Sequence, residues 1–306
     1  MSQITDQLLM VRPASFGFNP ETAKNNVYQN NLNEAGTDIQ SRALAEFDRY
    51  VTILRDHHID VLVIEDTPAP PKPDAIFPNN WFCTLPGGKV IIFPMYAQNR
   101  REEKRDQILQ QVADRYKVAD VEDWSEYEAE NFFLEGTGSM IFDHENKTVY
   151  ACLSARTHKP LLETFARAHG YRPVYFASSD QKGTPIYHTN VMMHIGTTYA
   201  VISLESIKNT AERIRVAQQL QSSGHEVIDI TLEQVSHFAG NMIQVKSKAG
   251  QPYTIMSQSA YDCLTDTQKH ILSIHSEPLP VDITTIETVG GGSARCMVAE
   301  IFLDKK

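Results

Sequence analysis

The run Gly290-Gly291-Gly292-Ser293-Ala294-Arg295-Cys296-Met297 sets a thiol just beyond a stretch of glycine. Consecutive glycines let backbone approach a partner closely and accept positive φ without steric cost. A cysteine that opens the apolar segment Met297 to Leu303 would carry its sulfur at a strand mouth, where a thiolate can attack a substrate. The competing reading is a buried, inert thiol inside that apolar segment. Nucleophilic chemistry also needs a base and a group to orient it, both from distant sequence. His188 in His188-Thr189-Asn190 supplies an imidazole, while Glu135 and Asp74 supply carboxylates. Asn79, Asn80, Asn190 and Asn241 add amides. Taken singly, His188 reads as a hydrogen-bonded structural histidine and Glu135 as a loop carboxylate beside Gly136. Taken together, they are a nucleophile, a base, its orienter, and donors and acceptors for a planar nitrogenous group.

An internal repeat would bring them together. Four segments each predict a polar or glycine-rich lead, an apolar strand, a turn, a second apolar strand, a helix and a third strand. Their first strands follow Asn79-Asn80, Thr137-Gly138, His188-Thr189-Asn190 and Gly240-Asn241, and their helices are expected near 99–116, 157–169, 209–222 and 265–275. A fifth copy is split between the chain ends. Cys296 to Leu303 gives its first strand, Leu8 to Val11 its second, residues 38–57 its helix and Val61 to Ile64 its third. Equivalent starts at Asn80, Gly138, Asn190, Asn241 and Cys296 are 58, 52, 51 and 55 residues apart. A period near fifty with termini that complete one another predicts a closed radial array of five ββαβ modules, with an open α/β sheet as the competing architecture. In the radial array, the leads to the first strands converge on the axis.

Composition narrows the class of function. At 306 residues the chain is expected to form one domain, five small blades sharing a centre. A net charge of −10 with no Lys/Arg-rich run argues against a nucleic-acid partner. No apolar run approaches the ~18–20 residues of a membrane span, and the N-terminus lacks a secretory pattern, so a cytoplasmic location is expected. Cysteines 83, 152, 263 and 296 have no CxxC spacing, which favours free thiols over a disulfide or metal site. No cofactor or metal is expected, and the sequence admits a homo-oligomer. The cluster Pro68-Ala69-Pro70-Pro71-Lys72-Pro73 reads as a stiff connector leading to Asp74.

The segments Gly290 to Met297, His188-Thr189-Asn190, Leu134-Glu135-Gly136-Thr137-Gly138 and Pro73-Asp74 resemble motifs of the guanidino-group modifying enzymes, the pentein superfamily of arginine deiminases, dimethylargininases and amidinotransferases. The resemblance covers nearly the whole chain and implies a five-bladed α/β propeller. Pro73 to Phe82 and Val11-Arg12-Pro13 look most like the citrulline-utilisation hydrolase, or amidinotransferase-like, branch. It further implies that Cys296 adds to the guanidino carbon to form a thiouronium, that His188 shuttles protons, that Glu135 orients His188 and favours its protonation, and that Asp74 binds the guanidinium nitrogens. Leu153-Ser154-Ala155-Arg156-Thr157 resembles the Ser-x-Arg-Thr element that holds a substrate α-carboxylate; without the resemblance, Arg156 reads as a surface residue before a helix.

Two departures bear on substrate. Asn190 stands where arginine deiminases carry an aspartate, and Asn79 and Asn80 stand where dimethylargininases carry acidic residues. An amide offers both a donor and an acceptor, which suits a ureido group or an N-modified guanidine. The expected activity is hydrolysis of the guanidino or ureido group of an arginine- or citrulline-like amino acid. The alternatives are amidino transfer to an amine and a non-catalytic binding protein on the same scaffold.

Overall fold

The computed structural model describes residues 2–32 and 36–306. Among them the strands form three-stranded sheets, five in number, each built from one repeat. The first repeat contributes β3 (Phe82–Leu85), β4 (Lys89–Ile92) and β5 (Asp120–Asp123), and the second β6 (Ile141–Asp143), β7 (Thr148–Cys152) and β8 (Arg172–Phe176). The third contributes β9 (Met193–Ile195), β10 (Tyr199–Ile202) and β11 (Glu226–Asp229), and the fourth β12 (Ile243–Lys246), β13 (Pro252–Ser257) and β14 (Glu277–Val281). The fifth sheet joins β15 (Ala299–Glu300) to β1 (Gln7–Arg12) and β2 (Asp60–Glu65), so the termini do complete one another.

In every sheet the first two strands pair antiparallel and the third returns parallel after a helix. The burial pattern follows the residue pattern. Tyr199-Ala200-Val201-Ile202 of β10 is covered on both faces and is accordingly apolar throughout. The outer strand β5, Asp120-Val121-Glu122-Asp123, is largely exposed and charged. Crossover helices cover the sheets with one apolar stripe: Lys159–Ala168 buries Leu161, Leu162, Phe165 and Ala166. Neighbouring sheets touch through first strands, β6 on β9, β9 on β12 and β15 on β3. No described helix is long and apolar enough to cross a membrane.

Two expectations change in detail. The first strands begin later than the expected starts: Pro78–Asn80 and Thr189–Val191 are 3-10 turns, Gly136–Ser139 is one helical turn, and regular pairing begins only beyond them. Likewise Cys296 lies in a turn, with its N–H donated to Ser293 O, and the strand expected over Met297 to Leu303 pairs only at Ala299–Glu300. A turn points successive side chains around a centre, whereas a strand would send alternate ones away from it. The helix expected over 99–116 is broken into a 3-10 turn, Gln98–Glu103, and a helix, Asp106–Arg115. Arg100 on that turn is buried and clamps Glu103 through Nε and Nη2, at 2.8 and 2.9 Å. The chain is extended at Arg105, where a continuous helix would have carried on.

The proline segment positions Asp74 through one buried lysine. Lys72 Nζ donates to Thr67 O, Thr67 Oγ1 and Pro70 O and faces Asp66 at 3.3 Å, tying the connector down two residues before Asp74.

Candidate active site

Five leading turns meet here, and glycines set how closely. A Cβ on Gly138 would come within 2.6 Å of Asn80 Nδ2 and 2.8 Å of the His188 ring, and one on Gly136 within 2.3 Å of Asn79 O. Gly136 also holds φ +47°, where a side chain is strained. A Cβ on Gly290 or Gly292 would strike Phe77 at 2.9 Å, so the glycine run lets the last turn close on the first. Of the three, only Gly291 needs a positive φ, +63°.

Cys296 is buried, and its Sγ accepts hydrogen bonds from Asn241 Nδ2 at 3.2 Å and Asn190 Nδ2 at 3.3 Å. Asn241 is fixed for this task, since its Oδ1 accepts from Arg295 N and its Nδ2 also donates to Asn190 O. Burial pushes the thiol above its ordinary value, against a Ser293 backbone hydrogen bond, the two amides and the Arg295 charge. At neutral pH the sulfur therefore rests as a thiol.

His188 Nε2 meets Glu135 Oε2 at 2.8 Å. The carboxylate can only accept, so Nε2 carries the proton and Nδ1 remains the ring's basic nitrogen. Burial alone would raise Glu135, but Arg156, the His188 hydrogen bond and Arg100 outweigh it and hold the carboxyl at about 2. Burial lowers His188 to about 4; Glu135 pulls the ring toward protonation, as expected, but too weakly to leave an imidazolium. Glu135 is positioned by Tyr96 N, which donates to Oε1, and by Ser139 Oγ, which accepts from Glu135 N and donates to Arg156 O. Thr189 Oγ1 donates to Ser139 O and joins the His188 turn to that of Glu135.

Asp74 is buried, and its Oδ2 accepts from Asn19 Nδ2 at 2.8 Å and Thr22 Oγ1 at 3.0 Å, while Oδ1 has no partner. Burial raises its carboxyl, opposed by Arg100, Asn19, Thr22 and Arg156. Arg156 is not on the surface: it spends its fork on Asn25 Oδ1, Thr22 O and Glu135 Oε2 and lies over the Tyr187 ring at 4.8 Å. Its Ser-x-Arg-Thr turn is held by Ser154 Oγ, which accepts from Arg156 N and donates to Tyr187 O.

Cys296, His188, Asp74, Asn80 and Arg156 all line one pocket. Glu135 stands behind His188, and Asn190 and Asn241 stand beside the sulfur. Asn79 lies outside the lining, with its Oδ1 taken by Asn80 Nδ2. The free volume is about 10 Å³, room for one water and no more. It is roofed by a strap that the repeat reading did not anticipate. Asn26 Nδ2 and Gln29 Nε2 donate to Gly291 O and Gly290 O, and Tyr187 Oη donates to Gly291 O. Arg100 was also missed; its Nη1 donates to Asn80 Oδ1 at 2.6 Å, and its Nε lies 3.8 Å from Asp74 Oδ2. No local signal separates it from its neighbours in Asn99-Arg100-Arg101-Glu102-Glu103. No cluster of side chains suited to a metal occurs among the described residues.

The chain trace is shared with solved structures. The N-terminal domain of ArgZ, an arginine dihydrolase from the ornithine-ammonia cycle in cyanobacteria, superposes with a TM-score of 0.73 at 15% identity, over 97% of this chain and 98% of that one. Unliganded AgrE gives 0.74 at 16% identity over 97% of this chain, which spans only 39% of AgrE. A mutant of the dimethylarginine hydrolase DDAH from Pseudomonas aeruginosa, complexed with citrulline, gives 0.68 at 15% identity, over 97% and 99%. No curated protein sequence matches the chain. These likenesses establish a pentein-type fold. The family model for eukaryotic N,N dimethylarginine dimethylhydrolase matches residues 12–303, and the chain belongs to that family within the guanidino-group modifying enzymes.

Proposed function

We propose that this chain is a cysteine-dependent hydrolase of the guanidino or ureido group of an arginine- or citrulline-like amino acid, acting as a single domain whose five sheets close into a propeller around the pocket. One observation carries the reading. A buried sulfur held by two amides shares a closed pocket with a carboxylate-oriented imidazole and a carboxylate oxygen that lacks a partner.

The resting thiol and neutral imidazole define the order of steps. His188 takes the proton of Cys296, and the thiolate adds to the electron-poor carbon of the bound group. The protonated His188 then gives its proton to the departing amine or ammonia, leaving a covalent adduct on sulfur. A water, deprotonated by His188, attacks that adduct, and the thiol is restored as product leaves. Asp74 Oδ1 accepts from the substrate's N–H groups. Arg156 holds the α-carboxylate once the strap yields its Asn25 and Thr22 contacts, because a pocket of about 10 Å³ admits no amino acid while shut.

Charge around the reacting group favours a ureido or N-substituted substrate over free arginine. Among the described residues Asp74 is the only carboxylate lining the pocket, and two guanidinium groups, Arg100 and Arg156, line it too. The arginine dihydrolase ArgZ and the citrulline complex of the Pseudomonas aeruginosa enzyme accord with the broader class of arginine- or citrulline-like amino acids, while the preference within it rests on the charges of this pocket.

The test combines labelling with turnover. A haloacetamidine should modify Cys296 and abolish activity, with the adduct located by mass spectrometry; labelling mainly at Cys83, Cys152 or Cys263 would sink the assignment. A panel of arginine, methylated and acylated arginines and citrulline, assayed for ammonia, amine, urea and ornithine-type products, identifies the substrate. Fastest turnover of free arginine to citrulline would make the protein a plain deiminase. Amidino transfer to an added amine in preference to water would make it a transferase, and no turnover at all a binding protein.

A further inference from the structure

A second buried polar cavity, of about 30 Å³, is lined by Gln3, His144, His194, Gln244, Arg295 and Glu300 among others. It has room for about two waters. It shares no lining residue with the Asp74 pocket, yet the two meet across a single peptide: Arg295 lines one and Cys296 the other. Gln3 holds the cavity's walls together, donating from Nε2 to Phe142 O and Ile195 O and accepting at Oε1 from His144 N.

Inside it Arg295 and Glu300 form an ion pair, Nη2 to Oε2 at 2.8 Å. The pair has a direction. Arg295 Nη1 donates to Val298 O at 2.9 Å, which anchors the positive end to the turn that carries Cys296. Glu300 sits beyond it on β15, where Leu8 pairs with it. A buried ion pair contributes little net stability compared with an apolar pair of the same volume. Its field, in a region of low dielectric, acts strongly on an adjacent group that must change charge.

We propose that Arg295 and Glu300 are positioning residues for the reaction, a buried dipole in which Arg295 favours and Glu300 restrains ionisation of Cys296. The inference rests on Cys296 being the nucleophile. Other charged or titratable groups surround the sulfur. His188, Asp74, Arg100, Arg156 and Tyr187 line its pocket, and Glu135 stands behind His188. Tyr50 Oη donates to Ala294 O, and Glu287 accepts from Ser293 Oγ. Those groups face the substrate or pack behind the glycine run, and none is anchored on the turn from the second cavity. There the pair's own neighbours are His144 and His194, both held neutral by burial with the Arg295 charge adding to the effect, while burial and Glu300 together push the nearby Cys83 thiol up. The Arg295 charge likewise opposes the burial that disfavours the Cys296 thiolate.

The experiment is the pH dependence of Cys296 alkylation by a haloacetamidine, read by mass spectrometry on the full chain. Arg295→Gln is expected to move the midpoint up by about half to one pH unit, Glu300→Gln to move it down by a similar amount, and Arg295→Lys to restore it. A purely structural pair would shift both neutral variants in the same direction or in neither, and that result would overturn the inference alone. Should Arg295→Gln fail to fold, the near-isosteric Glu300→Gln decides: a downward midpoint supports the dipole, and an unchanged or raised one refutes it. Lack of Cys296 alkylation in the unsubstituted protein would overturn the proposed function and this inference with it.

Discussion

Replacing Gly138 by alanine tests the geometry of the candidate active site without touching any charge. The added Cβ would lie 2.6 Å from Asn80 Nδ2 and 2.8 Å from His188 Cε1 and Nδ1, where ordinary contact begins at 3.4 Å. Neither neighbour can swing away freely. Asn80 is held by Arg100 Nη1 at 2.6 Å and by Asn79, and His188 by Glu135 at 2.8 Å. Relief therefore requires displacements of about 0.6 Å at His188 and about 0.8 Å at Asn80, on the scale at which misplaced reacting groups cost up to about 100-fold in rate. Displacing the ring also disturbs its hydrogen bond to Glu135, a charge-assisted contact of about 1.5–3 kcal/mol. Overpacking of a close-packed interior adds about 1–3 kcal/mol of destabilisation. We expect kcat/KM on the best substrate of the panel to fall about 10- to 100-fold, and Tm to fall by several degrees. The control is Gly17→Ala, whose Cβ meets nothing within 4 Å and which should leave both unchanged. Wild-type rate and Tm in Gly138→Ala would refute the claim that His188 is fixed at a position the reaction requires.

Glu135→Gln and His188→Asn should each lower kcat by a similar factor, with the double variant little worse, because the two act through one hydrogen bond; additive losses would confine Glu135 to shaping its loop. Arg156→Ala should raise KM for an amino acid about tenfold or more and shrink its advantage over the decarboxylated analogue, and equal initial preferences for the two would remove Arg156 from carboxylate binding. Stability should fall as pH drops below 6.5, since His188, His144 and His194 are lowered to about 4, 3 and 3 in the folded chain and the unfolded chain takes up protons first. Glu135, lowered to about 2, adds a further loss below about pH 4.5, whereas the raised Asp74 works in the opposite sense. A Tm that stays flat between pH 7 and 4 would contradict this balance.

The five repeats could be read from sequence because their signals are local. Short apolar runs bounded by turn residues make Val90-Ile91-Ile92 or Tyr199 to Ile202 a strand, and helical spacing makes Leu161, Leu162, Phe165 and Ala166 a helix face. Cys296, His188 and Glu135 could be picked out because few residue types do such chemistry and their glycine-rich surroundings are uncommon. Their states could not, because burial decides them. Glu135 beside His188 favours protonation of the ring, and only burial in the pocket leaves it neutral.

Tertiary structure alone decided which amides serve the sulfur and what covers it. Asn190 and Asn241 reach Cys296 across 106 and 55 residues, and Asn26 reaches Gly291 across 265. A sequence window holds no trace of such pairings. Arg100 illustrates the same limit: within Asn99-Arg100-Arg101-Glu102-Glu103 its charge looks like that of a solvated surface. Yet the break in the helix turns it inward onto Asn80, Phe77 and Glu103. Sequence determined the modules and the chemical groups they carry, because those depend on neighbours a few residues away. The fold determined their protonation, their partners and the roof over them, because dielectric and contact are properties of the packed interior.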